Sequence, residues 1–212
     1  MKPWSRSFRA AILLCAGATV GAAWAVHAVE NAVPAVPRRD TRPAPALPVP
    51  PGAQQATFAA GCFWGLEEAL RQVPGVLDTR AGYTGGSLAY PTYEQIHRQG
   101  SGHVEAVTVA YDPHRVSYHH LLTVFFASHN PTWPTTQKRA SGSPYRSFVF
   151  THTPAQADEA QEFVRSLQHT RKYAGAPLLI QTQLRPASTF WPAERYHQQY
   201  YAQRGMTNAC GL

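Results

Sequence analysis

The sequence predicts an α+β fold in which helices cover a sheet, and three observations lead there. Short strand-like and helix-like stretches alternate along the chain beyond about residue 53. Gly- and Pro-bearing turns separate them. Of 212 residues, 44% are hydrophobic and only 15% charged, enough apolar material for one sizeable core. Gln55 to Ala60 reads as the first strand, and Phe63 to Gln72 as a helix ended by Pro74-Gly75. Val76 to Tyr83 is strand-like and runs into Gly85-Gly86, while His103 to Tyr111 is a strong strand that stops at Asp112-Pro113. Ser117 caps a helix through Ser128, because Leu121, Leu122, Phe125 and Phe126 recur at helical spacing. Tyr145 to Thr151 is another strand. Thr153, Pro154 and Gln156 then supply an N-cap, a first-turn proline and a capping-box glutamine for a helix to about His169, with Ala160, Phe163, Val164 and Leu167 on one stripe. Leu178 to Leu184 reads as a further strand and Pro192 to Arg204 as a final polar helix. Pattern alone leaves the strand order open.

The leading residues form a separate unit. Lys2, Arg6 and Arg9 precede an apolar run from Ala10 to Val26 that ends in Val26-His27-Ala28. A positive start, an apolar middle and small residues before a cut describe a secretory signal peptide over residues 1–28, which places the chain in the periplasm or outside the cell. The rival is an uncleaved anchor that holds the protein to the membrane, facing the periplasm. Cys15 lies within the run, after a Leu14 too bulky for a lipid-attachment signal. Residues 29–53 are rich in Pro and Ala with no apolar period, which predicts an extended, semi-rigid tether. Residues 54–212 make the folded domain, expected as a monomer with a mobile C-terminal tail. The formal charge of +7 falls to +4 once the three cations of the first segment are removed. The remaining basic residues are scattered, which argues against nucleic acid as a partner. Ten histidines are present, yet no metal-ligand spacing joins them, so neither a metal nor another cofactor is expected.

Beyond the leading segment two cysteines remain, Cys62 and Cys210, near opposite ends of the folded part. In an oxidising compartment they form either one structural disulfide or a redox pair that opens and closes. Cys62 follows a strand and opens a helix, where unpaired backbone N–H groups and the helix dipole favour a nucleophilic thiolate. The plainer alternative is a small buried cysteine at a strand end. Phe63 and Trp64 follow directly, and two adjacent large aromatics project in different directions, so one of them is free to wall an apolar pocket beside the sulfur. In "GSGHVEAVTVAY", strand periodicity puts Glu105 on one face with Val107, Val109 and Tyr111. Desolvation there raises the pKa of a carboxyl and keeps it protonated as a donor, whereas a position at the solvated strand end makes it an ordinary surface acid. His103 reads as a turn-end residue. Tyr93 in "AYPTYEQI" and Tyr145 in "SPYRS" sit beside turn signals, where a hydroxyl can reach a cleft.

At these residues the chain resembles the peptide methionine sulfoxide reductases of the A type. "GCFWGLEEAL", "PGVLDTRAGYTGG", "PTYEQI", "GHVEAVTVAYDP", "LLTVFFASHNPT", "YRSFVF" and "FWPAERYHQQYY" are similar to that family's successive blocks, in order, from about Phe58 to Tyr201. The resemblance implies a two-layer α/β sandwich with a ferredoxin-like mixed sheet core. It also implies that Cys62 attacks the sulfur of the S epimer of methionine sulfoxide, free or in proteins, while Glu105, Tyr93 and Tyr145 hydrogen-bond and protonate the oxygen. Phe63 and Trp64 then hold the methyl group, Cys210 condenses with the Cys62 sulfenic acid, and a thioredoxin-like dithiol reduces the disulfide, in repair of oxidised protein. Two departures stand out. "QKRASGSPYRS" puts Ala140 at the family's usual acidic position, behind Lys138 and Arg139, and Asn130 in "HNPT" stands where Asp is usual. Slower turnover or an altered substrate preference is the expectation.

Two other readings compete. Gln55, Cys62, His197 and Asn208 occur in an order compatible with a papain-like cysteine peptidase, although its local signature is absent and Cys210 has no role in it. An exported binding module would use the Phe63-Trp64 patch for recognition and a structural disulfide for stability.

Overall fold

Strand order is what local pattern could not supply, and the computed structural model provides it for the residues it describes, 39–98, 100–132, 143–170 and 180–206. The strands are β1 (Gln54–Ala60), β2 (Val76–Thr84), β3 (Val104–Tyr111), β4 (Ser147–Thr151), β5 (Gln183–Pro186) and β6 (Trp191–Pro192). The helices are α1 (Phe63–Arg71), α2 (Tyr93–Ile96), α3 (Tyr118–Ala127) and α4 (Pro154–Gln168). One sheet runs β5-β4-β1-β3-β2-β6, antiparallel throughout except for the parallel β4–β5 pair. Its inner strands β4-β1-β3-β2 interlock the crossovers β1–α1–β2 and β3–α3–β4, the ferredoxin-like arrangement of a two-layer α+β domain.

Period-two alternation sorts the sheet into two faces. Phe58, Val107, Val109, Tyr111 and Val149 point into the main core with Leu66, Leu70, Leu121, Leu122 and Phe125 of the helices. Ala59, Val104, Ala106, Phe148 and Phe150 point the other way and are covered by Ala187 and Phe190. Phe58 stacks on Phe125 at 5.1 Å between ring centroids. Burying an aromatic of this size is worth about 2–3 kcal/mol.

The caps explain why the helices start where they do. Ser117 accepts from the N–H of His120, and Thr153 from the N–H of Gln156. Gln156 does not close a capping box as expected. Its side chain accepts from His152 N–H at 2.9 Å and donates to the Gln55 carbonyl at 2.8 Å, tying α4 to β1. The capping box occurs instead at α2, between Thr92 and Gln95, in a single helical turn that the sequence pattern did not reveal.

The end of the chain departs most from expectation. The strand sought at Leu178 to Leu184 is β5, shifted to Gln183–Pro186. Pro192 to Arg204 is not a helix; it is the end of β6 followed by two 3₁₀ turns, Arg195–His197 and Ala202–Arg204, with Gln199 at φ +46° between them. Long-range hydrogen bonds override local propensity here. The Gln198 side chain accepts from Ala81 N–H and donates to the carbonyls of Ala81 and Ala193, while Gln199 N–H donates to Glu67 at 2.7 Å.

The leading segment and residues 29–38 of the Pro/Ala stretch lie outside the described residues. From residue 39 it is irregular, and it is docked on the domain. Ala44 N–H donates to Ala193 O and Arg195 N–H to Arg42 O, both at 2.9 Å, and Ala44 is buried. Among the described residues no helix is long and apolar enough to cross a membrane.

Candidate active site

Gly61, at φ +97°, turns the chain from β1 into α1, a conformation that favours glycine. The turn leaves Cys62 half-buried as the N-cap of α1, with no side-chain cap bond to the helix. A thiol in that position faces the positive end of the helix dipole, which favours its ionised form.

Glu105 lies opposite Tyr83 on β3 and is only 1% exposed. Its Oε2 accepts the backbone N–H of Phe63 at 3.0 Å, which fixes the carboxyl beside the residue that follows Cys62. Its Oε1 faces His97 Nε2 at 3.5 Å. Burial pushes the Glu105 carboxyl above its ordinary range, and the nearby His97 and the bond from Phe63 only partly oppose this. The carboxyl, its pKa raised, is thus held beside the residue that follows Cys62.

Two phenols complete the surround. The Tyr145 hydroxyl lies 2.9 Å from His97 Nε2, and the Tyr93 ring packs on His97 at 4.2 Å. Burial first, then the negative charge of Glu105, push both phenols up, with a smaller contribution from Cys62. Both stay neutral and keep a proton to donate. Tyr93 is held by its own backbone, whose N–H donates to Glu194 Oε1 at 2.9 Å; Glu194 Oε2 accepts Tyr83 O–H at 2.7 Å.

Contrary to the expected division, both aromatics pack against the main core and reach the His197 ring, at 4.9 and 5.7 Å between centroids. Phe63 is 1% exposed and packs on Tyr83 and His197, while Trp64 is half-buried and stacks on Tyr200 at 3.7 Å and 7°. The Trp64 indole N–H donates to His197 Nδ1 at 3.0 Å.

That bond disposes of the peptidase arrangement. An indole N–H occupies the Nδ1 lone pair, and burial pulls His197 down to about 4, so its ring serves Trp64. Gln55 donates to Thr108 Oγ1 at 3.2 Å on the sheet and supplies no oxyanion donor. Asn208, Cys210 and Ala140 lie outside the described residues. Asn130 is described: its Oδ1 accepts from both the N–H and the hydroxyl of Thr132, at 3.0 and 2.8 Å, a turn-closing role open equally to an Asp oxygen.

A helix-start thiol, a buried acid and two neutral phenols thus gather in one place, and the family model for peptide methionine sulfoxide reductase matches residues 54–211. The chain belongs to that family. It is 47% identical over 152 residues to the peptide methionine sulfoxide reductase MsrA of Methanoculleus marisnigri, covering 72% of this chain and 91% of that protein. With the MsrA of Geobacter sulfurreducens the identity is 46%, over 72% and 92%. Its fold matches the solved methionine sulfoxide reductase A of Corynebacterium diphtheriae with a TM-score of 0.67 and 29% identity, covering 82% of this chain and 93% of that one. Within this methionine sulfoxide reductase fold, sequence reasoning missed His97 and Glu194. Glu194 reaches its partners across more than a hundred residues, and His97 sits just beyond a helix too short to show a period.

Proposed function

We propose that the chain reduces methionine sulfoxide to methionine, free or in polypeptides, as an exported repair enzyme acting on the S epimer. A sulfoxide oxygen leaves poorly until it is protonated, so the reaction calls for an acid opposite a soft nucleophile. The Cys62 thiolate attacks the substrate sulfur while the Glu105 carboxyl, with Tyr93 and Tyr145 as neutral donors, gives its proton to the oxygen. The S–O bond of the substrate breaks, methionine leaves, and Cys62 carries the oxygen as a sulfenic acid. Cys210 then attacks the Cys62 sulfur, water departs, and a thioredoxin-like dithiol reduces the resulting disulfide. Phe63 and Trp64 supply an apolar wall for the methyl group.

One observation carries this reading: the 3.0 Å bond from Phe63 N–H to the buried Glu105, which brings an acid with a raised pKa to the residue beside Cys62. Turnover of the separate S and R epimers by wild type, Cys62→Ser and Cys210→Ser tests it. The expectation is S-specific turnover by wild type, none by C62S, and a single equivalent of methionine from C210S when the reductant is a thioredoxin. No methionine from wild type with either epimer would overturn the reading. For export, the N-terminus of the mature protein is expected at Val29, and sedimentation is expected to give a monomer.

A further inference from the structure

We propose that His97 is a positioning residue for the reduction, relaying a proton from solvent to the buried Glu105 and setting the direction in which the Tyr145 hydroxyl donates. This rests on the reading of Glu105 as the acid. Each reduction takes one proton from that carboxyl. The Glu105 side chain is only 2% exposed, with Oε2 engaged as an acceptor of Phe63 N–H, so its resupply needs a route. His97 is the neighbour that reaches both sides: its side chain is 27% exposed, and Nε2 lies 3.5 Å from Glu105 Oε1.

The tautomer follows from one contact. His97 Nδ1 lies 2.7 Å from the Tyr93 backbone carbonyl, which can only accept, so Nδ1 carries a hydrogen in every state of the ring. Nε2 is therefore the nitrogen that titrates. In the neutral ring Nε2 accepts the Tyr145 O–H at 2.9 Å, which turns that hydroxyl away from any other acceptor. In the protonated ring Nε2–H donates, and the Tyr145 proton is released toward the site. Protonated His97 passes its Nε2 proton to the Glu105 carboxylate left by a turnover, and regains one from water. The proton count closes without any other reactant.

The groups facing His97 favour this cycle. The Glu105 carboxylate of β3, 3.5 Å away, raises its pKa, against a smaller opposing effect of burial. Tyr145 lies ahead of β4, Tyr93 packs on the ring from α2, and His197 approaches from the 3₁₀ turn as a neutral ring. The exposed Arg98 follows in the chain. The last proton leaves a coupled pair at a pH no lower than it leaves either member alone. The alkaline limb of the rate profile therefore reports the Glu105–His97 pair.

The test is the pH dependence of kcat and kcat/KM on the S epimer for full-length wild type and His97→Gln, with dithiothreitol as reductant, beside His97→Ala with and without added imidazole. Expected for H97Q are a fall in kcat of about tenfold or more at the alkaline side, an alkaline limb moved to lower pH, and little change in KM. Imidazole is expected to restore kcat in H97A, which also carries the test if H97Q melts early. An unchanged profile in H97Q, or a pH-independent loss in H97A that imidazole does not recover, would overturn the relay alone. A wild type that forms no methionine would remove the reaction, and the relay with it.

Discussion

Phe63 donates its backbone N–H to Glu105 across 42 positions of sequence, joining the first turn of α1 to the central strand β3. The bond fixes the acid's position and favours its ionised form, an effect that burial outweighs.

Glu105→Gln preserves the acceptor for Phe63 N–H and removes the transferable proton. First-turnover methionine formation is expected to fall by about 10²- to 10⁴-fold, with little change in melting temperature. Rapid-quench measurement of methionine formed per Cys62 checks it, and a near-normal burst would remove Glu105 from the role of acid.

Glu67 makes a stability prediction. It is fully buried on α1, accepting from Thr79 O–H at 3.1 Å and Gln199 N–H at 2.7 Å, and burial pushes its carboxyl up from 4.5 to about 7. A folded-state pKa above the unfolded one gives stability that is full below 4.5 and is lost as pH rises through about 7. Urea unfolding is expected to show wild type losing up to about 3 kcal/mol relative to Glu67→Gln between acid and mildly alkaline pH. Parallel pH curves for the two proteins would contradict it.

His197 titrates in the opposite sense. Burial lowers it from 6.5 to about 4, so its contribution is full above 6.5 and is lost as pH falls toward about 4. His197→Ala strands the Trp64 indole N–H and opens a cavity, for an expected loss of about 2–4 kcal/mol. The first turnover of sulfoxide is expected to survive, since the ring holds Trp64 rather than activating Cys62. Melting curves beside burst amplitudes decide between that role and a catalytic one.

The docked leading strand is testable in the full chain. Ala44 is 7% exposed against Ala193 and Glu194. Ala44→Asp puts an unpaired charge there, costing about 1–3 kcal/mol. Protease is then expected to cut ahead of β1 at concentrations that leave wild type whole, with turnover retained. Equal resistance of the two proteins would mean that this strand is held elsewhere.

Elements whose signals are local were legible in the sequence. Ser117 and Thr153 announced α3 and α4, and the period-two run of β3 put Glu105 on the face of Val107, Val109 and Tyr111, where the chain buries it. The setting of Cys62 at a strand-to-helix turn was equally readable. The last quarter was not, because its conformation is imposed by partners far away in sequence. Gln198 bonds Ala81 across 117 positions, and Glu194 reaches Tyr83 across 111. Residues 192–204 carry a helical composition that these contacts overrule. His97 was missed for a different reason: its chemistry comes from two neighbours brought by separate elements, and no spacing in the sequence encodes that meeting.

The face-to-face stack of Tyr200 on Trp64 has a kinetic consequence. It fastens the polypeptide two residues from the nucleophile's own position, and Cys210 follows ten residues later. Ten residues of chain span at most about 35 Å, an upper bound on the distance from Tyr200 to Cys210. In the proposed mechanism a tethered resolving thiol acts at an effective concentration on the order of millimolar, so a sulfenic acid at Cys62 is expected to condense within its own chain before it meets another's.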